Sequence, residues 1–220
     1  MIPLKPLYTY SEFERIDHED GRLYNTPDGF APSVTTILST IPNHGLDEWK
    51  ISVGNEEADR ITTLASDFGT SVHLVLESIV LGKSIPTVSP DVLQTANGIF
   101  KFLKRKSDIV YGVEAKLHYY DLYAGTTDLV CRWNNETSIT DFKTSKKHPF
   151  PDKIKKYLLQ AAAYTMAHDY MFGTNINRVD IICGVYGGDR LEILHFYATG
   201  DKLKELKREW ALVVDSFYNQ

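Results

Sequence analysis

The sequence predicts an α/β fold in which one mixed β-sheet is flanked by helices. Apolar residues recur every three or four positions between about 46 and 106, which predicts helices, and every second position from about 109 to 143, which predicts strands. A helical pattern over 153–172 then separates these strands from a second strand pair. No linker, repeat or low-complexity tract interrupts the 220 residues, so we expect one domain.

The first part of that domain, residues 1–45, is rich in turn-forming residues and predicts an N-terminal arm with a small hairpin. Residues 46–108 form the predicted helical part. Its first helix runs from 46 to about 82 and ends at Gly82, because glycine readily takes the left-handed conformation that closes a helix. Its second helix covers Pro90–Lys106.

Residues 109–200 form the predicted sheet core, and residues 201–220 form a C-terminal helix. β-Branched and aromatic residues, which suit a pleated and half-buried surface, are frequent in the predicted strands. In chain order the elements are strands Ile109–Tyr120, Leu122–Trp133 and Thr137–Lys143, a helix over 153–172, strands Arg178–Tyr186 and Arg190–Tyr197 around Gly187–Gly188, and a helix over Asp201–Tyr218.

The composition argues against several classes of protein. A net charge of −5 is unlike that of proteins that coat nucleic acid non-specifically, and no apolar run is long enough to predict a membrane span. Residues 1–20 carry five acidic side chains, unlike a signal or transit peptide, so we expect a cytoplasmic location. Cys131 and Cys183 are too few for a disulfide scaffold or an iron–sulfur cluster, and they indicate a reducing compartment.

Two aspartates lie on the predicted hairpin between residues 122 and 143. If Asn134 and Asn135 form a two-residue turn, the strands pair so that Val130 faces Ile139 and Asp128 faces Asp141. Because side chains alternate along a strand, Asp141 and Lys143 share a face. Like charges in opposing positions destabilise a sheet, unless a cation lies between them.

A hard divalent cation suits this pair of aspartates, because such ions take carboxylate oxygens as ligands. Lys143 would then orient or deprotonate a metal-bound water, or stabilise the charge of a phosphate. The alternative is an ordinary ladder of aspartate and lysine on an exposed sheet face. The hairpin alone leaves both interpretations open.

Further polar residues carry the same ambiguity when each is taken alone. His73 and Glu77 share a helix face, where histidine is more often a core residue than a ligand. Glu114 lies on the strand before the hairpin and could point towards the same place. Gln160 and Tyr164 share a face of the helix over 153–172.

Taken together and in chain order, these residues resemble the RecB-type branch of the PD-(D/E)xK nuclease superfamily, and within it the mitochondrial genome maintenance exonucleases and their phage relatives. The resemblance covers about residues 22–165, and it rests on several weak motifs in one order. They are Arg22-Leu23-Tyr24, Pro32-Ser33-Val34-Thr35, Gly69 to His73, Glu114, Gly125 to Asp128, Asp141 to Lys143, and Gln160 to Tyr164.

The resemblance implies a restriction-endonuclease-like core and a role for each motif residue. His73, Asp128, Asp141 and the Phe142 carbonyl would bind Mg²⁺ or Mn²⁺. The catalytic set would be Asp128, Asp141, Lys143, which positions the attacking water, Glu114 as ligand or supporting carboxylate, and Gln160 and Tyr164, which shape the site. The cysteines of cluster-bearing relatives are missing and no nucleotide-binding loop is present, so we expect neither an iron–sulfur cluster nor a bound nucleotide.

The implied function is a metal-dependent DNA exonuclease that prefers single-stranded or frayed ends and acts in phage or bacterial replication, recombination or repair, with proteins of those processes as partners. Residues 143–156 contain six lysines and one acid, which predicts a basic rim; Lys146, Lys147 and Tyr164 would contact the nucleic acid. The alternatives are an endonuclease of the same fold and a non-catalytic module that binds DNA ends. RNA as substrate and the oligomeric state stay open.

Overall fold

The structure, a computed structural model, describes residues 2–19, 21–42 and 44–219. Residues 1, 20 and 43 of the predicted arm, and residue 220, lie outside these ranges. The elements are β1 (Glu14–His18), β2 (Gly21–Thr26), β3 (Gly29–Pro32), α1 (Val34–Ser39), α2 (His44–Val53), α3 (Asn55–Leu81), α4 (Pro90–Lys106), β4 (Ser107–Tyr119), β5 (Tyr123–Trp133), β6 (Glu136–Ser145), α5 (Pro151–Phe172), β7 (Arg178–Val185), β8 (Glu192–Thr199) and α6 (Gly200–Tyr218).

The larger of two sheets has five strands in the order β4-β5-β6-β7-β8. Strands β6 and β7 pair in parallel, whereas the other neighbours pair antiparallel. A parallel pair needs a long crossover connection, and α5 supplies it between β6 and β7. The predicted mixed sheet with flanking helices is therefore confirmed.

Two hydrophobic cores lie on the two faces of this sheet. The first packs α1, α5 and α6 against residues such as Val130, Ile139 and Ile181. The second packs α3 and α4 against the residues that alternate with them, including Leu129 and Ile182. Helix α5 presents buried alanines to the sheet, so its backbone can approach closely and bring neighbouring polar side chains near the strands.

The N-terminal arm is more extensive than the predicted small hairpin. Strands β1, β2 and β3 form a three-stranded antiparallel sheet, and α1 follows with Ser33 as its N-cap, whose hydroxyl accepts a hydrogen bond from the Thr36 N–H at 2.9 Å. Leu4 forms a parallel bridge with Val110 of β4. The arm thus covers an edge of the main sheet, a long-range contact that local turn signals do not reveal.

The prediction of one helix from 46 to 82 is wrong in one respect, because the structure has two helices in this range. Gly54 separates α2 from α3 with φ +84°, a conformation that glycine adopts without steric cost. The predicted end at Gly82 is confirmed by its left-handed conformation, φ +67°. The connection around Gly187–Gly188 is also longer than a tight turn, since β8 begins only at Glu192.

Helix α3 is long and apolar enough, by length and composition alone, to cross a membrane. Such a helix is weak evidence for a membrane span, because core helices pass the same test. In this fold α3 packs against α4 and β6 and carries His73 into the polar site described below.

Candidate active site

The site lies where the hairpin of β5 and β6 opens. Asn134 and Asn135 have φ values of 46° and 67°, as a two-residue turn of this kind requires, and Val130 pairs with Ile139 as predicted. The ladder ends at the pair Leu129 and Thr140, one step before the two aspartates. The predicted register is therefore confirmed up to the row that Asp128 and Asp141 occupy.

Glu114 extends this row onto a third strand. The pairs Val113–Leu129 and Ala115–Thr127 enclose Glu114 and Asp128 in one register of β4 against β5. Glu114 has φ +47°, a left-handed backbone that costs a non-glycine residue about 1–2 kcal/mol. Three carboxylates thus lie in one row across β4, β5 and β6, with local strain at the first.

Helix α3 brings His73 to the middle of this row. Its ring Nδ1 lies 2.9 Å from Asp128 Oδ1, and the Phe142 backbone N–H donates a short hydrogen bond to Asp128 Oδ2. Gly69 lies one turn earlier in α3, where an added Cβ would be 3.3 Å from the Thr144 hydroxyl. The small residue therefore lets α3 pass close to the end of β6.

Helix α5 reaches the row from the opposite face of the sheet. Lys143 forms an ion pair with Asp141 and donates to Gln160 Oε1 at 2.8 Å. The Gln160 amide lies 3.4 Å from the Tyr164 hydroxyl. A Cβ on Gly125 would be 2.7 Å from that hydroxyl, so the glycine of the Gly-x-x-Asp motif provides the space that Tyr164 fills.

The pKa values show how strongly these charges interact. Burial lowers the pKa of His73, but attraction to Asp128 and the hydrogen bond between them outweigh it and raise the value from 6.5 to about 9. Burial and the neighbouring Asp128 raise the pKa of Asp141. Burial acts against the Lys143 charge, yet Asp141 and Asp128 outweigh it and raise the pKa of Lys143, which favours its charged ammonium form.

The same neighbouring charges shift the pKa of Glu114. Although the residue as a whole is exposed, partial burial of its carboxylate and repulsion from Asp128 raise its pKa from 4.5 to about 7. His73 opposes this change, while Glu77 and Asp141 add to it. A row of carboxylates that repel one another favours either protonation or a cation between them.

The donor set can hold a divalent metal ion. His73, Glu114 and Asp128 each offer a ligand atom, and these three atoms lie within 4.8 Å of one another. One imidazole nitrogen and carboxylate oxygens match ions of the Mn²⁺ and Mg²⁺ type. Asp141, predicted as a ligand, is not in this group of three; its carboxylate pairs with Lys143. The role predicted for the Phe142 carbonyl stays a prediction.

Other residues singled out by the sequence lie at different distances from the row. Lys146 and Lys147 are exposed just after β6, and Glu77 pairs with Lys83 one turn beyond His73. His168, on the same face of α5 as Gln160, lies instead in an aromatic cluster with Tyr8.

Sequence reasoning did not establish that Glu114 is aligned with Asp128. The available signal was the short connection after Tyr119, which pairs with Tyr123 and so sets the register of β4 against β5. That register places Glu114 in the carboxylate row, whereas side-chain alternation alone left its direction open.

Comparison with known proteins finds a sequence similarity over most of the chain. No protein-family model matches the chain. It is 27% identical over 208 residues to the Xenopus tropicalis protein named mitochondrial genome maintenance exonuclease 1, and the match covers 86% of this chain. The chain is thus similar over most of its length to an exonuclease. It spans 58% of the length of that relative.

A solved structure also shows some likeness. The crystal structure of SSO0001 gives a TM-score of 0.36 at 13% identity, over 83% of this chain and 76% of that one. A likeness at this level carries no argument about fold or function.

Proposed function

We propose that the protein is a divalent-metal-dependent nuclease of the RecB-type branch of the PD-(D/E)xK superfamily, with a restriction-endonuclease-like core, and that it degrades DNA from its ends. The observation that carries the proposal is the row of three carboxylates across β4, β5 and β6, flanked by His73 and Lys143. Similarity to an exonuclease over most of the chain supports it.

In this proposal His73, Glu114 and Asp128 hold Mg²⁺ or Mn²⁺, with Asp141 at the edge of the same site. The ion supplies a Lewis acid for the scissile phosphate. Lys143 keeps its positive charge and is held in place by Asp141 and Gln160, so it stabilises negative charge and orients the attacking water at the phosphate. Gln160 and Tyr164 form the wall on the α5 side.

The exposed Lys146 and Lys147 lie directly after β6 and supply positive charge beside the acidic row, as a channel that follows a phosphate backbone requires. The relative's name refers to genome maintenance, which favours DNA as the substrate. We place the activity in DNA replication, recombination or repair, in the cytoplasm of a bacterium or phage-infected cell, with a preference for single-stranded or frayed ends.

The test is a time course on labelled linear single-stranded DNA beside a circular strand of similar length, with Mg²⁺, Mn²⁺ or EDTA. We expect loss of the linear strand only, in the presence of metal, and none with EDTA. Lys143→Ala is the control that separates this site from a contaminating nuclease, because it removes the cation and should abolish the product.

The other outcomes separate the alternatives. Cleavage of the circle would keep the site and make the protein an endonuclease. Salt-sensitive binding of DNA ends without any metal-dependent product, on single-stranded DNA, duplex DNA and RNA, would contradict the proposal and favour a non-catalytic end-binding module.

A further inference from the structure

One stripe of side chains on α5 runs from the protein surface into the candidate site. Positions separated by three or four residues share a helix face, and this face of α5 carries, in order, Lys153, Tyr157, Gln160 and Tyr164, with Phe150 as the N-cap residue directly before the helix. Phe150 is 81% exposed and Tyr164 is 3% exposed, with the residues between them progressively more buried. The stripe therefore leads inwards along the helix.

Direct contacts connect the stripe to the Lys143 ammonium group. Lys143 bonds to Gln160, and its Nζ lies 5.3 Å from the centre of the Tyr157 ring. The Nζ of Lys153 lies 5.9 Å from the same ring. Tyr157 thus has one lysine on the surface side and one lysine inside the site, and both interact with its π-system.

The lysines of residues 143–156 differ in what already binds them. Lys155 pairs with Glu209, and Lys156 donates to the Ile41 carbonyl. In the described part of the chain no ion pair engages Lys146, Lys147 or Lys153, and all three are exposed. No acidic side chain in the described residues holds these three cations, so an anion can bind them, and Lys153 lies on the face of α5 that leads to Lys143.

Phe150 lies at the outer end of the stripe, between Pro149 and Pro151. The following proline restricts its backbone to the extended region, where it lies at φ −67° and ψ 157°. A single exposed aromatic residue is common on protein surfaces and indicates nothing alone. Here it directly precedes α5, three residues before Lys153 and a few residues after Lys146 and Lys147, and none of these lysines has an acidic partner in the described residues. Cations for phosphates and a flat ring for a base are the combination that single-stranded nucleic acids require.

We propose that this stripe is the binding track for one unpaired strand of the substrate, with Phe150 stacking on a nucleobase and Lys153 binding a backbone phosphate. The inference rests on the proposed nuclease function and specifies how its substrate is held. Ten residues of helix separate Phe150 from Gln160, about 15 Å, so the stacked base lies a few nucleotides from the scissile phosphate. Phe150, Lys153 and Tyr157 are positioning residues in this scheme.

The test measures binding of a labelled single-stranded oligonucleotide in EDTA, where no cleavage occurs, together with the rate of the first cut in metal. Phe150→Ala is compared with Phe30→Ala, because Phe30 is another exposed phenylalanine, 63% accessible, that lies off the stripe. Lys153→Gln is compared with Lys155→Gln, whose lysine is held by Glu209. In each pair only the first variant should weaken binding.

We expect Phe150→Ala to raise the Kd and the KM about tenfold or more with little change in kcat, since stacking of one base has about that effect. Lys153→Gln should lower the slope of log Kd against log salt by about 0.7, the value for one phosphate contact on a single strand. A substrate with one abasic nucleotide identifies the stacked position. At that position the abasic substrate and Phe150→Ala should each weaken binding, and the two effects should not add.

The inference is overturned if Phe150→Ala binds like Phe30→Ala, or if its effect adds fully to an abasic nucleotide at every position. Failure of the proposed function looks different: the unaltered protein would bind the strand with the Phe150 dependence intact but would release no product with either metal. The two failures are therefore distinguishable in one set of measurements.

Discussion

Two polar clusters on the same sheet, each built around a buried aspartate, differ in how the negative charge is balanced. In the first, Asp180 of β7 is fully buried and accepts four hydrogen bonds from side chains. Arg178 provides two, at 2.7 and 2.8 Å, Ser138 provides one at 2.7 Å, and His195 lies at 2.8 Å. Every oxygen of this carboxylate has a partner.

The second cluster is the carboxylate row of the candidate site. Asp141 is buried as well, yet its one ion-pair partner in the described residues is Lys143, and its nearest acidic neighbour is Asp128. The comparison teaches that a buried acid with a complete set of donors has its charge compensated within the fold, whereas a row of acids facing one another is arranged for a ligand that brings positive charge.

The largest expected effect is a loss of activity without a loss of stability. Asp141→Asn should lower the rate of DNA cleavage at least about a thousandfold, because it removes a charge that holds Lys143 at the reacting phosphate. Burial and repulsion from Asp128 outweigh the attraction of Lys143 and raise the pKa of Asp141, so the charged carboxylate is disfavoured in the folded chain. Replacing it with a neutral amide should therefore leave the thermal midpoint the same or raise it. Cleavage assays and calorimetry on one preparation check both statements; a large loss of stability would contradict the comparison.

The opposite result, a large loss of stability, is expected for a substitution in the cluster around Asp180. Asp180→Ala removes the carboxylate that binds the buried Arg178 at two nitrogens and leaves it only the more distant Glu136 at 3.8 Å, which should cost about 3–5 kcal/mol of unfolding free energy. Urea unfolding measures the loss. The double variant Arg178→Met with Asp180→Leu is the control, because it removes both charges and should be destabilised less than Asp180→Ala alone.

A divalent metal ion should stabilise the protein through the carboxylate row and not through the cluster around Asp180. At a hundredfold excess over its Kd, Mg²⁺ or Mn²⁺ should stabilise the protein by about 2.7 kcal/mol, and Asp128→Asn should lose this response. Ser138→Ala, which trims one bond to Asp180, should keep it. Thermal unfolding with and without metal gives the result; an equal response in Asp128→Asn would exclude the proposed ligand set.

A third buried group, His168, extends the comparison to a site that excludes charge. Tyr8, Tyr10 and Phe172 surround it, and the Thr174 hydroxyl lies 2.9 Å from its Nδ1. Burial lowers its pKa from 6.5 to about 4, an effect that Asp169 only partly opposes.

The unfolded chain therefore binds a proton at His168 between about pH 6.5 and 4 while the folded chain does not, so stability falls as the pH falls. We expect this group to contribute a loss of about 2 kcal/mol between pH 7 and pH 5. The difference between the unaltered protein and His168→Gln in urea unfolding at both pH values isolates it from the carboxylates. A difference that does not change with pH would contradict the assignment.

Local sequence patterns predicted much of the fold because they depend on neighbours close in the chain. The period of apolar residues located the helices and strands, and Asn134 with Asn135 set the register that aligns Asp128 with Asp141. The same reasoning failed at Gly54, where one glycine in a helical pattern turned out to be a break between helices.

The sequence by itself determined most elements of the main sheet and its helices and the hairpin register, and it supplied the candidate site residues. Each of Asp180 and Asp141 has a cation two residues away in its own strand, Arg178 and Lys143. Only the tertiary structure decided what else surrounds them: Ser138 and His195 complete the bonds of Asp180, whereas Asp141 faces the carboxylate of Asp128. It also aligned Glu114 with the row. The physical reason is that a charge interacts with whatever lies within a few ångströms, and for these buried aspartates several of those neighbours, such as Ser138 and His73, come from distant parts of the chain.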